Sequence, residues 1–165
     1  DELGNAVDAG VTGLIVVGSD AQFSEYTGGG TKDRVRGLMS SGDIGYFDAE
    51  GRLFVTGRAD EMIVSGGENV YAAEVEAVFR EHPAVADAAL IGQPDEKWGE
   101  VGLMIAACKP GGTVSAEELL KFCEGRLAKY KIPKRVEFVE SLPYSPYGKV
   151  IKAELKKQWV VESGK

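Results

Sequence analysis

Lys149 is the residue of this chain best placed to act on a charged ligand. It ends the stretch Pro143-Tyr144-Ser145-Pro146-Tyr147-Gly148, in which two prolines stiffen the approach and a glycine delivers a single ammonium to a helix start. A cation held there can offset negative charge growing on a phosphate or carboxylate; the plainer reading is a solvated lysine. The spacing GxxxxGK[ST] of a phosphate-binding P-loop is absent. Asp43, in Ser40-Ser41-Gly42-Asp43, can accept two hydrogen bonds from a vicinal diol such as a ribose, or can cap its own backbone. Arg58 and Asp60 sit two residues apart at a change of pattern, where an ion pair and a hinge fit equally well. Between these groups lies Ser65-Gly66-Gly67-Glu68-Asn69. Gly66 and Gly67 offer positive φ and bare amides to a phosphate or a thin ligand arm, although such a pair also commonly punctuates a loop.

The elements that must carry these residues change character near Asp60. Residues 1–57 show no helical period. Leu14–Val17 reads as a buried strand, Gly28-Gly29-Gly30 as a loop, and Leu38–Phe47 and Leu53–Val55 as strands around the turn Asp48-Ala49-Glu50-Gly51. This all-β stretch has few core anchors and is expected to need further strands to fold. Beyond Asp60, strands and helices alternate. Met62–Val64 runs as a strand into the glycine turn, and a helix follows from Ala72 with Val75, Val78 and Phe79 on its apolar face and Glu74, Glu76 and Arg80 off it, stopping at His82 before Pro83. Val85–Ile91 and Val101–Cys108 are strand candidates separated by a polar loop, Gly92–Glu100. Ser115–Ala128 reads as a helix with a Ser115/Glu118 capping box and a stripe of Leu119, Leu120, Cys123 and Leu127. Arg135–Val139 alternates as a strand with Val136 and Phe138 inward. A last helix carries Ile151, Leu155 and Trp159 on one face, and Glu162–Lys165 reads as a frayed tail.

Composition narrows the function. The 165 residues are 44% hydrophobic and 27% charged, with a formal net charge of −7, so a nucleic-acid partner is not expected. No apolar run is long enough for a transmembrane segment. Cys108 and Cys123 form no CxxC pair and read as buried thiols, which fits a reducing, cytoplasmic setting, and no secretory leader is expected. The chain opens on Asp1, which suggests a piece of a longer protein.

Ser-Gly-Asp, then GRxDxxxxxGGENVxxxEVE, then PxxxxGKVxK, in this order and at these intervals across nearly the whole chain, resemble the C-terminal third of the adenylate-forming, AMP-binding enzymes, specifically the acyl-CoA synthetases. The resemblance implies an α+β fold: a C-terminal mobile lid domain over 62–165, with a mixed sheet and about three helices. Before it come a hinge over 58–61 and, over 1–57, the terminal β subdomain of the large AMP-binding domain. It implies a ligase in which a carboxylic acid, a fatty acid first among candidates, reacts with ATP to give an acyl adenylate, after which coenzyme A displaces AMP. Asp43 then matches the acid that holds the ribose hydroxyls and Arg58 the arginine that supports the same nucleotide. Asp60 matches the hinge residue, and Lys149 the catalytic lysine of adenylation. Gly66 and Gly67 match the turn that lines the pantetheine tunnel. Trp98, Tyr130 and Lys134 match positions that contact the coenzyme A nucleotide in some relatives; for Trp98, loop packing is an equal alternative. Mg2+ would accompany ATP, bound mainly by the large domain, and no residue of this chain is expected to hold a metal.

Three positions depart from the pattern. Ala72 stands where proline is frequent, at a cost of a few tenths of a kcal/mol in preorganisation. Ile132 replaces a residue that is basic in some relatives, and Tyr147 one that is small and hydroxylated. The phosphate loop and acyl pocket of such enzymes are not among these residues, so this piece alone is expected to be inactive. Two other functions stay open: a unit that loads a carrier protein, and a non-catalytic nucleotide-binding module. Homo-oligomerisation and acylation of Lys149 as a regulatory step also stay open.

Overall fold

The computed structural model describes residue 1, residues 3–19 and residues 33–160. The chain divides into two units, Asp1–Asp60 and Glu61–Lys165. The readings of Gly28–Gly30 as a loop and Glu162–Lys165 as a tail lie outside the described residues.

In the first unit, the ten-residue strand β3 (Leu38–Phe47) is the axis. β1 (Gly13–Val17) pairs along one edge, and β2 (Arg34–Val35) and β4 (Leu53–Arg58) along the other, all antiparallel. The β3–β4 turn forms because Asp48 Oδ1 accepts from the backbone N–H groups of Glu50 and Arg52, at 3.0 and 2.8 Å. Its register places Asp43 directly opposite Arg58. Ile44 is the one buried hydrophobic side chain among the described residues of this unit, while Phe47, Phe54 and Val55 are exposed. The scarcity of core anchors read from the sequence is what the strands show.

The second unit holds β5 (Ile63–Ser65), β6 (Glu68–Val70), α1 (Ala72–Arg80), β7 (Val85–Asp95), β8 (Gly99–Cys108), α2 (Ala116–Phe122), β9 (Arg135–Val139) and α3 (Lys152–Trp159). Its five-stranded sheet is mixed: β7 and β8 pair antiparallel over their whole length, β9 runs parallel to β8, and β5 joins β8 at Ser65 and Gly99. Helices cover both faces, so β7 and β8 are continuously apolar. Ala88, Leu90, Met104 and Ala106 face α1 and α2 with Val75, Phe79, Leu119 and Cys123. Ala89, Ile91, Leu103 and Ile105 face Leu142 and Leu155 of the α3 side. The unit is α+β with three helices, as the resemblance implies.

Six local expectations are corrected. The glycine turn does not run straight into a helix, because Glu68–Val70 forms a strand and makes the segment a hairpin. Most of Gly92–Glu100 is strand, since Gly92–Asp95 pair with Gly99–Gly102. α2 stops at Phe122, well before Ala128, and the chain turns away with φ +76° at Gly125. Phe138 is 39% exposed, at the surface of β9, and Cys108 is only half-buried, whereas Cys123 is fully buried. Glu76, assigned to the solvent side of α1, is buried at 6% exposure. The α2 capping box is present with both of its hydrogen bonds. Among the described residues no helix is long and apolar enough to cross a membrane.

Candidate functional site

Cross-strand register brings the first group together. Asp43 on β3 and Arg58 on β4 are paired residues, so the guanidinium Nη1 reaches Asp43 Oδ1 at 3.3 Å and donates to the Ser41 carbonyl at 3.4 Å. Ala59–Glu61 turns as a single 3-10 segment, which swings Asp60 back beneath Arg58: Nε donates to Oδ1 at 3.1 Å and Nη2 to Oδ2 at 3.3 Å. Gly42 permits this, with φ +81° and no side chain, because a Cβ there would lie 3.0 Å from the guanidinium nitrogens. The hydrogen bond and charge of Asp60, then those of Asp43, hold the Arg58 proton more tightly than in a free arginine. The fork fixes Arg58 and leaves the Asp43 carboxylate, 37% exposed, able to accept from a diol. Arg58 and Asp60 are thus ion-paired, one of the two readings left open above.

Gly66 and Gly67 form the two-residue tip of the β5–β6 hairpin, with φ +61° and +87°. Positive φ at both central positions is what the right-handed twist of a two-residue hairpin demands, and glycine supplies it without strain. Trp98 sits directly over Gly66: the Gly66 N–H donates to the Trp98 carbonyl at 2.8 Å, and a Cβ on Gly66 would lie 2.7 Å from the indole ring. Asp95 Oδ1 accepts from the N–H groups of Lys97 and Trp98, each at 2.9 Å, which fixes the short β7–β8 turn. The Lys97 ammonium lies 4.7 Å from the indole centroid, and the ring is 40% exposed. The result is an aromatic ring beside bare backbone, with a cation over one of its faces.

Tyr130 is exposed on a 3-10 turn, Lys129–Lys131, that Lys131 ties to α1 through Glu74 at 2.7 Å. Lys134 and Lys129 line a groove of about 400 Å3 with Pro133 and Ile132. Ile132 packs against the α1–α2 core, which accounts for an apolar residue where a basic one was anticipated.

Lys149 lies in a tight hairpin, Tyr144 bridging to Val150 and the Ser145 N–H donating to the Lys149 carbonyl at 2.7 Å. Lys149 is exposed, and its ammonium makes no hydrogen bond or ion pair with any described residue. Tyr144 anchors this hairpin to Asp87, near the start of β7, whereas Gly66 meets the turn beyond Asp95, at the end of β7. Eight residues at ~3.3 Å each put these two anchor points about 26 Å apart along the strand. The glycine turn and the lysine hairpin therefore mark opposite ends of the same sheet.

Sequence reasoning missed a chain of charges behind that hairpin. Lys152 Nζ contacts Glu61 Oε2 at 2.6 Å and Glu76 Oε1 at 2.7 Å; Arg80 then joins Glu76 to Asp87. The available signal was the Glu76/Arg80 pair at i, i+4, off the apolar face of α1.

Residues 74–149 match the family model described as AMP-binding enzyme C-terminal domain. A long-chain-fatty-acid–CoA ligase of Mycobacterium tuberculosis is 43% identical over 150 residues, covering 89% of this chain and 30% of the relative. A 2-succinylbenzoate–CoA ligase of Bacillus cereus is 47% identical over 120 residues, covering 73% of this chain and 24% of the relative. The solved o-succinylbenzoate CoA synthetase from Bacillus subtilis, in complex with its acyl-adenylate intermediate, aligns with a TM-score of 0.79 and 38% identity over 91% of this chain and 31% of that one. The chain thus spans about a quarter to a third of the length of the relatives it matches. In fold and sequence together it is similar to part of these CoA ligases and synthetases. More particularly, residues 74–149 belong to the AMP-binding enzyme C-terminal domain family.

Proposed function

We propose that this chain works within an ATP-dependent acid–thiol ligase that forms an acyl adenylate and passes the acyl group to coenzyme A. Asp1–Gly57 would close the large nucleotide-binding domain, 58–61 would serve as the hinge, and the remainder would be the mobile lid. Lys149 is the residue assigned to adenylation. An ammonium bridging the acid carboxylate and the α-phosphate oxygens lowers the barrier as charge accumulates. The observation that carries this reading is the Lys149 hairpin itself: a rigid, glycine-ended mount whose ammonium has no partner among the described residues and is available to a ligand.

Asp43 is assigned to the ribose hydroxyls and Arg58 to support of the same nucleotide, with Asp60 as its partner at the hinge. The Gly66-Gly67 tip is assigned to the pantetheine arm, because a thin chain can lie against backbone that carries no side chain. Trp98, Tyr130 and Lys134 are assigned to the coenzyme A nucleotide; the indole is 40% exposed and the Lys97 ammonium over it supplies a cation for a phosphate. Mg2+ would travel with the ATP phosphates. Among the described residues no three His, Cys, Asp or Glu side chains converge, so no residue here is assigned to it. The acid is a fatty acid in the first instance and an aryl acid in the second, since relatives of similar identity are named for each. Two free cysteines support a reducing, cytoplasmic workplace.

The test is AMP formation by the full-length enzyme given ATP, coenzyme A and a panel of fatty and aryl acids. The reading requires turnover that depends on both acid and coenzyme A. It fails if no acid supports AMP release, or if a carrier protein replaces coenzyme A as the better acceptor.

A further inference from the structure

Lys152 opens α3, immediately behind the Lys149 hairpin. A cation in the first turn opposes the positive end of the helix, and Ile151 at the N-cap makes no side-chain capping bond. The position of this helix start is set instead by what the Lys152 ammonium touches. Its side chain is 13% exposed and lies between Glu61 at 2.6 Å and Glu76 at 2.7 Å. Glu76 is saturated in turn: Oε1 also accepts from the Leu90 N–H of β7 at 2.9 Å, and Oε2 from Arg80 at 3.2 Å. Arg80 continues to Asp87 at 2.7 Å and to the Ala88 carbonyl at 2.9 Å. The Tyr144 hydroxyl donates to the other oxygen of Asp87. Both feet of the lysine hairpin, Tyr144 on one side and Lys152 on the other, thus end on the same arginine through one carboxylate each. The hairpin is closed above them by the Ile151 N–H donating to the Pro143 carbonyl at 2.8 Å.

We propose that Lys152 is a positioning residue: by bridging Glu61 and Glu76 it fixes the Lys149 hairpin to α1 and β7 and to the first residue of its unit. Glu61 follows Asp60 directly, so the bridge makes the hairpin move as one piece with the point where the chain enters the unit. Without Lys152 the hairpin keeps its Tyr144 foot and the packing of Leu142 and Val150 but loses its charged tie to α1, and the buried Glu76 keeps Arg80 as its single cation. This inference rests on the assignment of Lys149 to adenylation, and a displacement of about 1 Å at such a group lowers the rate about 100-fold.

The experiment compares Lys152→Met, Lys152→Arg, Glu61→Gln and Lys149→Ala in the full-length enzyme. Each is read by kcat and KM of acyl-adenylate formation, by thiolysis of supplied acyl adenylate, and by amide hydrogen exchange of residues 144–151. Lys152→Met is expected to lower the kcat of adenylation by about 10- to 100-fold with KM within about twofold and thiolysis retained, while hairpin exchange rises at least about tenfold and β7 and β8 exchange holds. Lys152→Arg should recover most of the loss. Glu61→Gln, which strands no buried charge, should shift the same readouts in the same direction by less, and serves if Lys152→Met does not fold. Unchanged hairpin exchange and adenylation in a folded Lys152→Met protein, or adenylation and thiolysis falling together, overturn the proposal. Unchanged adenylation in Lys149→Ala would instead overturn the assignment of Lys149, and hairpin exchange in Lys152→Met still decides whether Lys152 mounts the hairpin.

Discussion

Gly66→Ala separates the two half-reactions from the glycine side. Alanine at φ +61° carries the left-handed backbone cost of about 1–2 kcal/mol. Its methyl would also meet the Trp98 ring at 2.7 Å, against an ordinary contact of at least 3.4 Å, so the indole must retreat by the difference, about 0.7 Å. Trp98 is 40% exposed and has room to move, so the total loss of about 2 kcal/mol leaves a folded domain. Gly67→Ala is the control for the backbone cost alone, since φ there is +87° but nothing lies within 4 Å of the added carbon. Both variants should lose similar stability in urea melts, and only Gly66→Ala should move the aromatic face. Its expected signature is a KM for coenzyme A raised about tenfold, equivalent to about 1.4 kcal/mol of binding, with slower thiolysis and unchanged adenylation. A KM for coenzyme A unaffected in Gly66→Ala, or adenylation slowed as much as thiolysis, would refute the assignment of the Gly66–Trp98 corner to this ligand.

Two pH effects follow from the second unit. At Asp87, burial is the largest single influence and favours the neutral acid, but hydrogen bonds from Tyr144, Arg80 and the Ala88 N–H together outweigh it and hold the carboxyl below its usual value of 3.8. A depressed carboxyl stabilises the fold above its unfolded pKa and loses that stability as pH falls through the folded one, so the melting temperature should drop steeply below pH 3.8. Tyr144→Phe should lower the melting temperature at neutral pH and flatten the acid limb; parallel curves for the two proteins would contradict this. Burial pushes the Cys123 thiol from 9.0 up to about 11, with Arg126 opposing weakly. Its stability is present below pH 9.0 and is lost as pH rises through about 11, and native protein at pH 8 should show Cys108 reacting with a thiol reagent while Cys123 waits for unfolding.

The parts of the fold visible in the residues are those with local causes. The Asp48 turn, the Ser115/Glu118 box and the end of α1 before Pro83 each depend on side chains within a few positions. The misreadings come from strand pairing and from tertiary contact. Gly92–Asp95 looks like a loop until Gly99–Gly102 pairs with it, and Glu68–Val70 becomes a strand only because Ile63–Ser65 lies opposite. Glu76 obeys the helical pattern of a surface residue, yet is buried because Lys152, 76 positions later by number, supplies the compensating charge. The candidate site was legible as motifs, Asp43, Arg58, Gly66 and Lys149 included. Its support was not, since Glu61, Arg80, Asp87 and Tyr144 acquire meaning only through contacts between distant segments.

The most direct measurement is Lys149→Ala in the full-length enzyme, with adenylation and thiolysis assayed separately. Loss of one preorganised cation should lower acyl-adenylate formation by about two to three orders of magnitude while thiolysis of supplied acyl adenylate persists. Equal loss in both half-reactions, or loss in neither, would contradict the role given to the lysine hairpin.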